Sequence, residues 1–250
     1  MRQAWDRDGY MLLDGFLTPT EVAGIEAEIA AFARKHSGET RDSQHINLEK
    51  QGDASLDHNA AAKRPGMLRK VAGAVFVLPS VRQVFCAGRL PRLVAELGGM
   101  DTVYYHSSKV MFKPARGGAA KPWHQDAAYW RQYAARQITV WIAIHDADRE
   151  NGCVWAIPGS HHLGLIPHVQ HELQVPESSI DLAKAVPVPV KAGGLLIFHS
   201  LVLHMSHKNH SDRDRWAIIC DYDCAANPCL DRGEDGLAAG VDASGVWRLG

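Results

Sequence analysis

The sequence has few cysteines, and their spacing argues against a disulfide framework. The 250 residues contain 5 Cys, an odd number without a C-x-x-C pair, so disulfides are not expected and a reducing cytoplasm is the default compartment. Cys220, Cys224 and Cys229 lack a fourth ligand at the spacing of a structural zinc site. We therefore interpret the cysteines as buried or incidental thiols.

The sequence also lacks an excess of one charge and any long apolar run. Lys and Arg number 27 against 28 Asp and Glu, without a basic run, which argues against nucleic acid or an anionic membrane as partner. No stretch approaches the ~20 apolar residues of a membrane span, and the N-terminus has no apolar signal-peptide segment. We expect a soluble protein with a small-molecule substrate. The sequence does not indicate the oligomeric state.

The first third of the chain has helical patterns. Thr18-Pro19-Thr20-Glu21 has the outline of a capping box, and an apolar stripe at helical spacing follows it. Two short helices, broken near Gly88, are expected between Ser80 and Leu97. Residues 37–66 are polar and without periodicity, which predicts a mobile loop or lid over a site.

From Thr102 onward the pattern changes to short strands separated by Gly and Pro turns. With 46% hydrophobic residues, the chain can build one large core, and we expect a single domain over 1–250. The fold class is mainly β, a sandwich or barrel with flanking helices. The expected strands are Tyr104 to Phe112, Ile138 to Ile144, Val154 to Ile157, Val186 to Val190, Leu195 to Phe198, Leu201 to Ser206 and Trp216 to Tyr222.

His124-Gln125-Asp126 is the strongest chemical signal. In an extended segment, two residues separated by one project from the same face, and a distal histidine, His204, lies in an expected strand. Two imidazoles and one carboxylate are the ligand set of non-heme Fe(II) oxygenases, which leaves open metal positions.

A second signal follows His204. If residues 201–206 and the strand from 215 onward form a hairpin, His204 lies directly opposite Arg215 and shares its face with Ser206. The Arg215 guanidinium would then hold the carboxylate of a cosubstrate. Arg213 has the same parity and is the alternative.

These residues carry a family resemblance. Over residues 5 to 225, the order of His124-Gln125-Asp126, Asn151-Gly152-Cys153, Ile157-Pro158-Gly159-Ser160-His161 and His204-Met205-Ser206 through Arg215 resembles the phytanoyl-CoA dioxygenase family, most closely its domain-containing branch. The resemblance implies a double-stranded β-helix, a cupin-like jelly roll. It also implies a dioxygenase that uses Fe(II), 2-oxoglutarate and O2 to hydroxylate or otherwise oxidise a small organic molecule.

The resemblance also implies roles for single residues. His124, Asp126 and His204 match the iron ligands, and Arg215 and Ser206 match residues that hold 2-oxoglutarate. Trp141 matches an aromatic residue beside the cosubstrate. Lys109 stands where relatives often have a methionine in contact with it. Residues 226–250 lie beyond the resemblance and are assigned no function.

Two alternatives from other classes remain open. A cupin-like protein could bind a metal or ligand without turnover. A metal-dependent hydrolase could use the same triad, although it would not need an arginine nearby. The sequence does not identify the substrate.

Overall fold

Two antiparallel sheets face each other in the computed structural model, which describes residues 2–50, 63–100, 102–129, 137–169, 173–224, 239–242 and 247–249. This is the arrangement of a jelly roll, and it confirms the expected mainly-β class with flanking helices. The strands are β1 (Tyr10–Leu13), β2 (Ile46–Lys50), β3 (Lys63–Ala72), β4 (Thr102–Lys113), β5 (Lys121–His124), β6 (Ile138–Ala143), β7 (Val154–Ala156), β8 (Val186–Val188), β9 (Leu195–His199), β10 (His204–Ser206), β11 (Arg215–Cys224), β12 (Ala239–Asp242) and β13 (Trp247–Leu249).

The two sheets differ in size. The large sheet has the order β1-β9-β6-β11-β4-β12-β13, and β2 joins it through β3, which pairs with β4. The small sheet has the order β5-β10-β7-β8. Strand β6 lies in the middle of the large sheet and is buried on both faces, which explains its nearly continuous apolar sequence.

The helices cover the outer face of the large sheet. They are α1 (Arg2–Asp8), α2 (Pro19–Lys35), α3 (Ala74–Val77), α4 (Pro79–Cys86) and α5 (Arg89–Gly98). Helix α2 begins with the expected capping box, in which the Glu21 amide donates to Thr18 Oγ1 and the Thr18 amide donates to Glu21. Its stripe of Val22, Ile25 and Ile29 is buried in the core shared with the sheet.

A second core fills the space between the sheets. Side chains from the inner face of the large sheet pack there against β7 and β8 of the small sheet; the cluster includes Trp141, Leu196, Phe198, Val154 and Val188. In β6, β9 and β11, alternate residues face this interior and the helix layer. One end of the interior remains open and forms the cavity described below.

The expected hairpin between His204 and Arg215 is wrong. His204 lies in the small sheet, where β10 pairs with β5 and β7, whereas Arg215 lies in the large sheet, where β11 pairs with β4 and β6. The connection crosses between the sheets. Buried Asn209 organises this crossing, because its amide donates to the carbonyls of Lys113 and Arg213 and its oxygen accepts from the Ser211 amide.

The polar segment 37–66 is not loop throughout. Its described ends include β2 and the beginning of β3, which pair with each other, and residues 51–62 lie outside the described residues. Its mobility stays a prediction. The tail is described only at residues 239–242 and 247–249, where β12 and β13 extend the large sheet beside β4.

None of the helices in the described ranges is long and apolar enough to cross a membrane. Cys86, Cys153 and Cys220 are buried, free thiols.

Candidate active site

The three expected metal ligands come together on the small sheet and the turn that follows it. His124 ends β5, and His204 begins β10 directly opposite it, with the two ring centroids 4.1 Å apart. Asp126 follows His124 after one extended residue, Gln125. The H-x-D spacing therefore places both side chains on one side of the chain, as expected.

The ligand atoms converge. Asp126 Oδ1 lies 3.5 Å from His124 Nε2 and 3.7 Å from His204 Nε2, and the ligand atoms of the three residues lie within 4.8 Å of one another. Two atoms that each lie about 2.1 Å from one metal are at most about 4.2 Å apart. Small side-chain rotations thus suffice for all three residues to bind one ion, and they fit iron.

A backbone carbonyl two residues earlier in the chain orients each histidine. Nδ1 of His124 lies 2.8 Å from the Pro122 carbonyl, and Nδ1 of His204 lies 3.0 Å from the Val202 carbonyl. A carbonyl accepts only from N–H, so Nδ1 carries the proton and Nε2 presents its lone pair to the site. Burial, reinforced by His204 and Lys121, lowers the pKa of His124 to about 3. His124 is therefore neutral at physiological pH, as a metal ligand must be.

Thr139 orients the carboxylate ligand. Its Oγ1 lies 2.8 Å from Asp126 Oδ2 and 3.0 Å from Asp221 Oδ1. One hydroxyl proton serves one carboxylate at a time. Burial, which outweighs the opposing effect of Lys109, raises the pKa of Asp221 with a contribution from Asp126, and the shorter of the two Thr139 contacts is the one to Asp126. Oδ2 is thereby held away from the histidines, and Oδ1 remains for the metal.

Gln125 anchors the segment that carries the ligands. Its fully buried amide donates to the carbonyls of Gly164 and Leu201 and accepts from the Ile166 amide. The middle residue of the H-x-D motif therefore points away from the metal and fixes the chain between the two ligands.

Arg215 lies buried in the same cavity, with 3% of its surface exposed. Its guanidinium stands 5.4 Å from the Trp141 ring centroid, its Nε has no hydrogen-bond partner, and no ion pair joins it to a described residue. Burial lowers its pKa to about 10, so it remains charged at neutral pH. A buried cation without an anion is a site for one, and it fits a cosubstrate carboxylate.

The rival arginine lies elsewhere. Arg213 is half exposed and pairs with Asp148 at 2.7 Å on the surface. Ser206, like Arg215 and Trp141, lines the cavity and is buried.

A second buried basic side chain accompanies Arg215. Lys113 is its register partner on β4, and Lys113 Nζ donates to the carbonyls of Ala119 and His207. Burial and the neighbouring Arg215 charge hold the pKa of Lys113 well below its usual range. Two carbonyls hold Lys113, and Arg215 is the charged group that favours an anion here.

Lys109 lies elsewhere on the inner face of the large sheet. Its Nζ is 3.3 Å from Oδ2 of buried Asp221, which also accepts from Ser107 at 2.5 Å. Its charge contributes to lowering the pKa of Asp126, together with His204 and His124 and against the effect of burial. Lys109 is thus linked to the ligand Asp126 through Asp221 and Thr139, and its register partner is Ile219, four residues along β11 from Arg215.

These residues surround a cavity of about 420 Å³ between the two sheets, a size that suits a small organic ligand. All seven side chains singled out from the sequence line it: His124, Asp126, His204, Ser206, Arg215, Trp141 and Lys109.

Sequence reasoning missed four residues that support the site: Gln125, Thr139, Asp221 and Lys113. A lone Thr, Asp or Lys in a strand has no motif. The alternation of side chains along a strand was the available signal. Thr139 lies on the same face of β6 as Trp141, and Asp221 lies on the same face of β11 as Arg215. Their use depends on contacts between strands that are distant in sequence.

The family model described as phytanoyl-CoA dioxygenase (PhyH) matches residues 5–217. A related curated protein is phytanoyl-CoA dioxygenase domain-containing protein 1 of Mus musculus, which is 28% identical in an alignment of 252 positions that covers 85% of each chain. The matched region contains the three expected metal ligands, Arg215, Ser206, Trp141 and Lys109, and it ends before Asp221.

Two solved structures share the fold. EctD from S. alaskensis, crystallised with 2-oxoglutarate and 5-hydroxyectoine, has a TM-score of 0.72 at 22% identity and covers 90% of this chain and 76% of its own. The epimerase SnoN, in complex with Fe³⁺, alpha ketoglutarate and nogalamycin RO, has a TM-score of 0.66 at 22% identity, with 90% and 82% covered.

Proposed function

Because the chain belongs to the phytanoyl-CoA dioxygenase family, we propose that His124, Asp126 and His204 hold the iron of a 2-oxoglutarate-dependent dioxygenase. The enzyme class follows from the family: the chain is an Fe(II)- and 2-oxoglutarate-dependent oxygenase. The assignment of single residues is our proposal, and the convergence of three ligand atoms in one buried cluster supports it.

Arg215 is the proposed anchor of 2-oxoglutarate. Its guanidinium can make two parallel hydrogen bonds to the distal carboxylate, with the Trp141 ring beside it and the Ser206 hydroxyl on the facing sheet. The observation that carries this assignment is the buried guanidinium without an ion pair among the described residues.

Bound Fe(II) with 2-oxoglutarate supplies the oxidising chemistry, in which the cosubstrate becomes succinate and CO2 as O2 is consumed. The protein binds and orients the reactants. Thr139 fixes the free oxygen of Asp126, the histidine carbonyl contacts fix both imidazoles, and the facing sheets exclude bulk water. We propose hydroxylation of a small organic molecule in the cavity as the reaction.

The two alternatives fit this site less well. A metal-dependent hydrolase has no use for a buried cation such as Arg215, and burial of that cation without function would cost stability. A binding protein without turnover would not need open metal positions.

Succinate release under air tests the proposed function and distinguishes the three classes. Purified protein with Fe(II) and 2-oxoglutarate should form succinate in an O2-dependent manner, faster with a suitable substrate, and candidate metabolites can be screened by that stimulation. A hydrolase would need no O2, and a binding protein would release no succinate.

We further propose that residues 37–66 close over the cavity. The cavity wall includes residues from both described ends of this segment. They are Asp42, Asn47, Leu48 and Glu49 before residue 51, and Lys63 after residue 62. Amide hydrogen exchange in residues 37–50 should slow when Fe(II) and 2-oxoglutarate are added. Unchanged exchange there would favour a fixed structural insert.

A single catalytic domain over 1–250 and a reducing cytoplasm remain part of the proposal. Buried free thiols at Cys86, Cys153 and Cys220 support the compartment.

A further inference from the structure

Basic side chains outnumber acidic ones around the cavity. Among the described residues that line it, seven are lysine or arginine and three are aspartate or glutamate. The chain as a whole has a net charge of -1, so this excess belongs to the cavity and not to the general composition.

The three acidic residues of the lining have different roles. Asp42 pairs with Lys63 at 2.9 Å, Asp126 is a proposed iron ligand, and Glu49 remains. Bound Fe(II) and the two carboxylates of 2-oxoglutarate carry equal and opposite charge, so together they leave the balance of the lining side chains unchanged. A mainly basic surface, enclosed by low-dielectric walls, concentrates anions.

Lys109 occupies the position in this cavity from which a substrate group can be held near the metal. On the inner face of the large sheet, Lys109 on β4, Ile219 on β11 and Trp141 on β6 form one row. Lys109 Nζ lies 3.3 Å from Asp221 Oδ2. Asp221 in turn contacts Thr139, whose hydroxyl contacts the iron ligand Asp126. A group bound by Lys109 therefore lies on the side of the cavity next to the metal site.

The Lys109 ammonium is fixed in place. Asp221 is fully buried, and its carboxylate contacts Ser107, Thr139 and Lys109, so it cannot move with the lysine. The Lys109 side chain is 23% exposed and lines the cavity. Lys109 pairs with Ile219 on β11, which is four residues, or about 13 Å, along that strand from Arg215. Lys109 is thus separate from the proposed binding site of the distal carboxylate of 2-oxoglutarate.

We propose that the substrate carries an oxyanion group, a carboxylate, phosphonate or phosphate, and that Lys109 is the residue that binds it while the carbon to be oxidised faces the metal. This inference rests on the proposed function. It replaces the expected contact of Lys109 with the cosubstrate by a contact with the substrate.

Small probes bound to the Fe(II)–2-oxoglutarate form of the enzyme without O2 provide the test. The visible charge-transfer band of that complex reports binding beside the metal. At saturating 2-oxoglutarate, methylphosphonate and propionate should perturb the band saturably, whereas dimethyl sulfone and tetramethylammonium should not. The phosphonate and carboxylate arms show which oxyanion is preferred.

Variants locate the binding to Lys109. Hydrogen bonds to charged groups contribute about 1.5 to 3 kcal/mol, so Lys109→Met should weaken probe binding about tenfold or more, and Lys109→Arg should retain part of it. Lys109→Met leaves the buried Asp221 carboxylate with fewer partners, which destabilises the fold. The double variant Lys109→Met/Asp221→Asn removes that carboxylate as well and serves as a second test of the same loss. Lys191→Met is the matched control, since Lys191 pairs with Asp146 at 2.8 Å on the surface.

Each outcome is decisive. Loss of probe response in the Lys109 variants, with the band still formed, supports the proposal. A normal band with equal response to anionic, neutral and cationic probes overturns it and leaves the proposed function intact. A weaker affinity for 2-oxoglutarate with unchanged probe binding assigns Lys109 to the cosubstrate and also overturns it. Failure of the band to form in the wild type overturns both proposals.

Discussion

The hydroxyl of Thr139 lies 2.8 Å from Oδ2 of Asp126, so the carboxylate that completes the proposed metal site is held by a residue of the opposite sheet. Oδ1 alone faces His124 and His204. The large sheet thereby orients a ligand whose two partners belong to the small sheet.

Thr139→Val should weaken iron binding. The substitution keeps the shape and removes the hydroxyl, which leaves Oδ2 free to rotate toward the metal. Loss of such an outer contact usually costs 10- to 100-fold in metal affinity, and we expect about tenfold or more here by anaerobic Fe(II) titration. Thr139→Ser should restore most of the affinity. Equal affinity in wild type and Thr139→Val would remove Thr139 from the site.

Arg215→Ala should raise the KM for 2-oxoglutarate by about 30-fold or more, because truncating one partner of a buried charged pair costs roughly 2 to 5 kcal/mol. Iron binding should survive, since Arg215 is not a proposed metal ligand. Arg213→Ala is the control, because its ion pair with Asp148 lies on the surface. Succinate formation measured against 2-oxoglutarate concentration decides between them, and an unchanged KM in Arg215→Ala would contradict the assignment.

Gln125→Met should destabilise the fold. The substitution leaves the carbonyls of Gly164 and Leu201 and the amide of Ile166 without their partner, and each unsatisfied buried group costs about 1 to 3 kcal/mol. We expect the free energy of unfolding, measured by urea denaturation, to fall by about 3 kcal/mol or more. Gln3→Met, at an exposed position of α1, should change it little, and equal stability of the two variants would show that the Gln125 contacts are dispensable.

Local patterns in the sequence predicted the local structure well. The capping box of α2, the helix pair around Gly88 and most strands of the roll follow from nearby residues. In the polar segment 37–66, β2 and the beginning of β3 were not predicted, because the alternation of Ile46 and Leu48 with polar residues is short and β3 begins without apolar residues. These strands form because β4 offers an edge with which β3 can pair.

Patterns of nearby residues could not predict how the strands are divided between the two sheets. His204 and Arg215 were expected on one hairpin face, and the structure places them on opposite sheets that line the same cavity. Strand parity tells which residues share a face within a sheet, but it does not tell which sheet a strand joins. The two residues still share one site, because facing sheets of a jelly roll direct their inner side chains into one space.

The central claim is that His124, Asp126 and His204 hold an iron that binds 2-oxoglutarate. Anaerobic titration of 2-oxoglutarate into Fe(II)-loaded protein, followed by visible absorption, tests it most directly. The account predicts a saturable charge-transfer band at one equivalent in the wild type, its loss in Asp126→Ala and His204→Ala, and its retention in His210→Ala, a control at an exposed histidine of the crossing connection. No band in the iron-loaded wild type, or an unchanged band in His204→Ala, would contradict it.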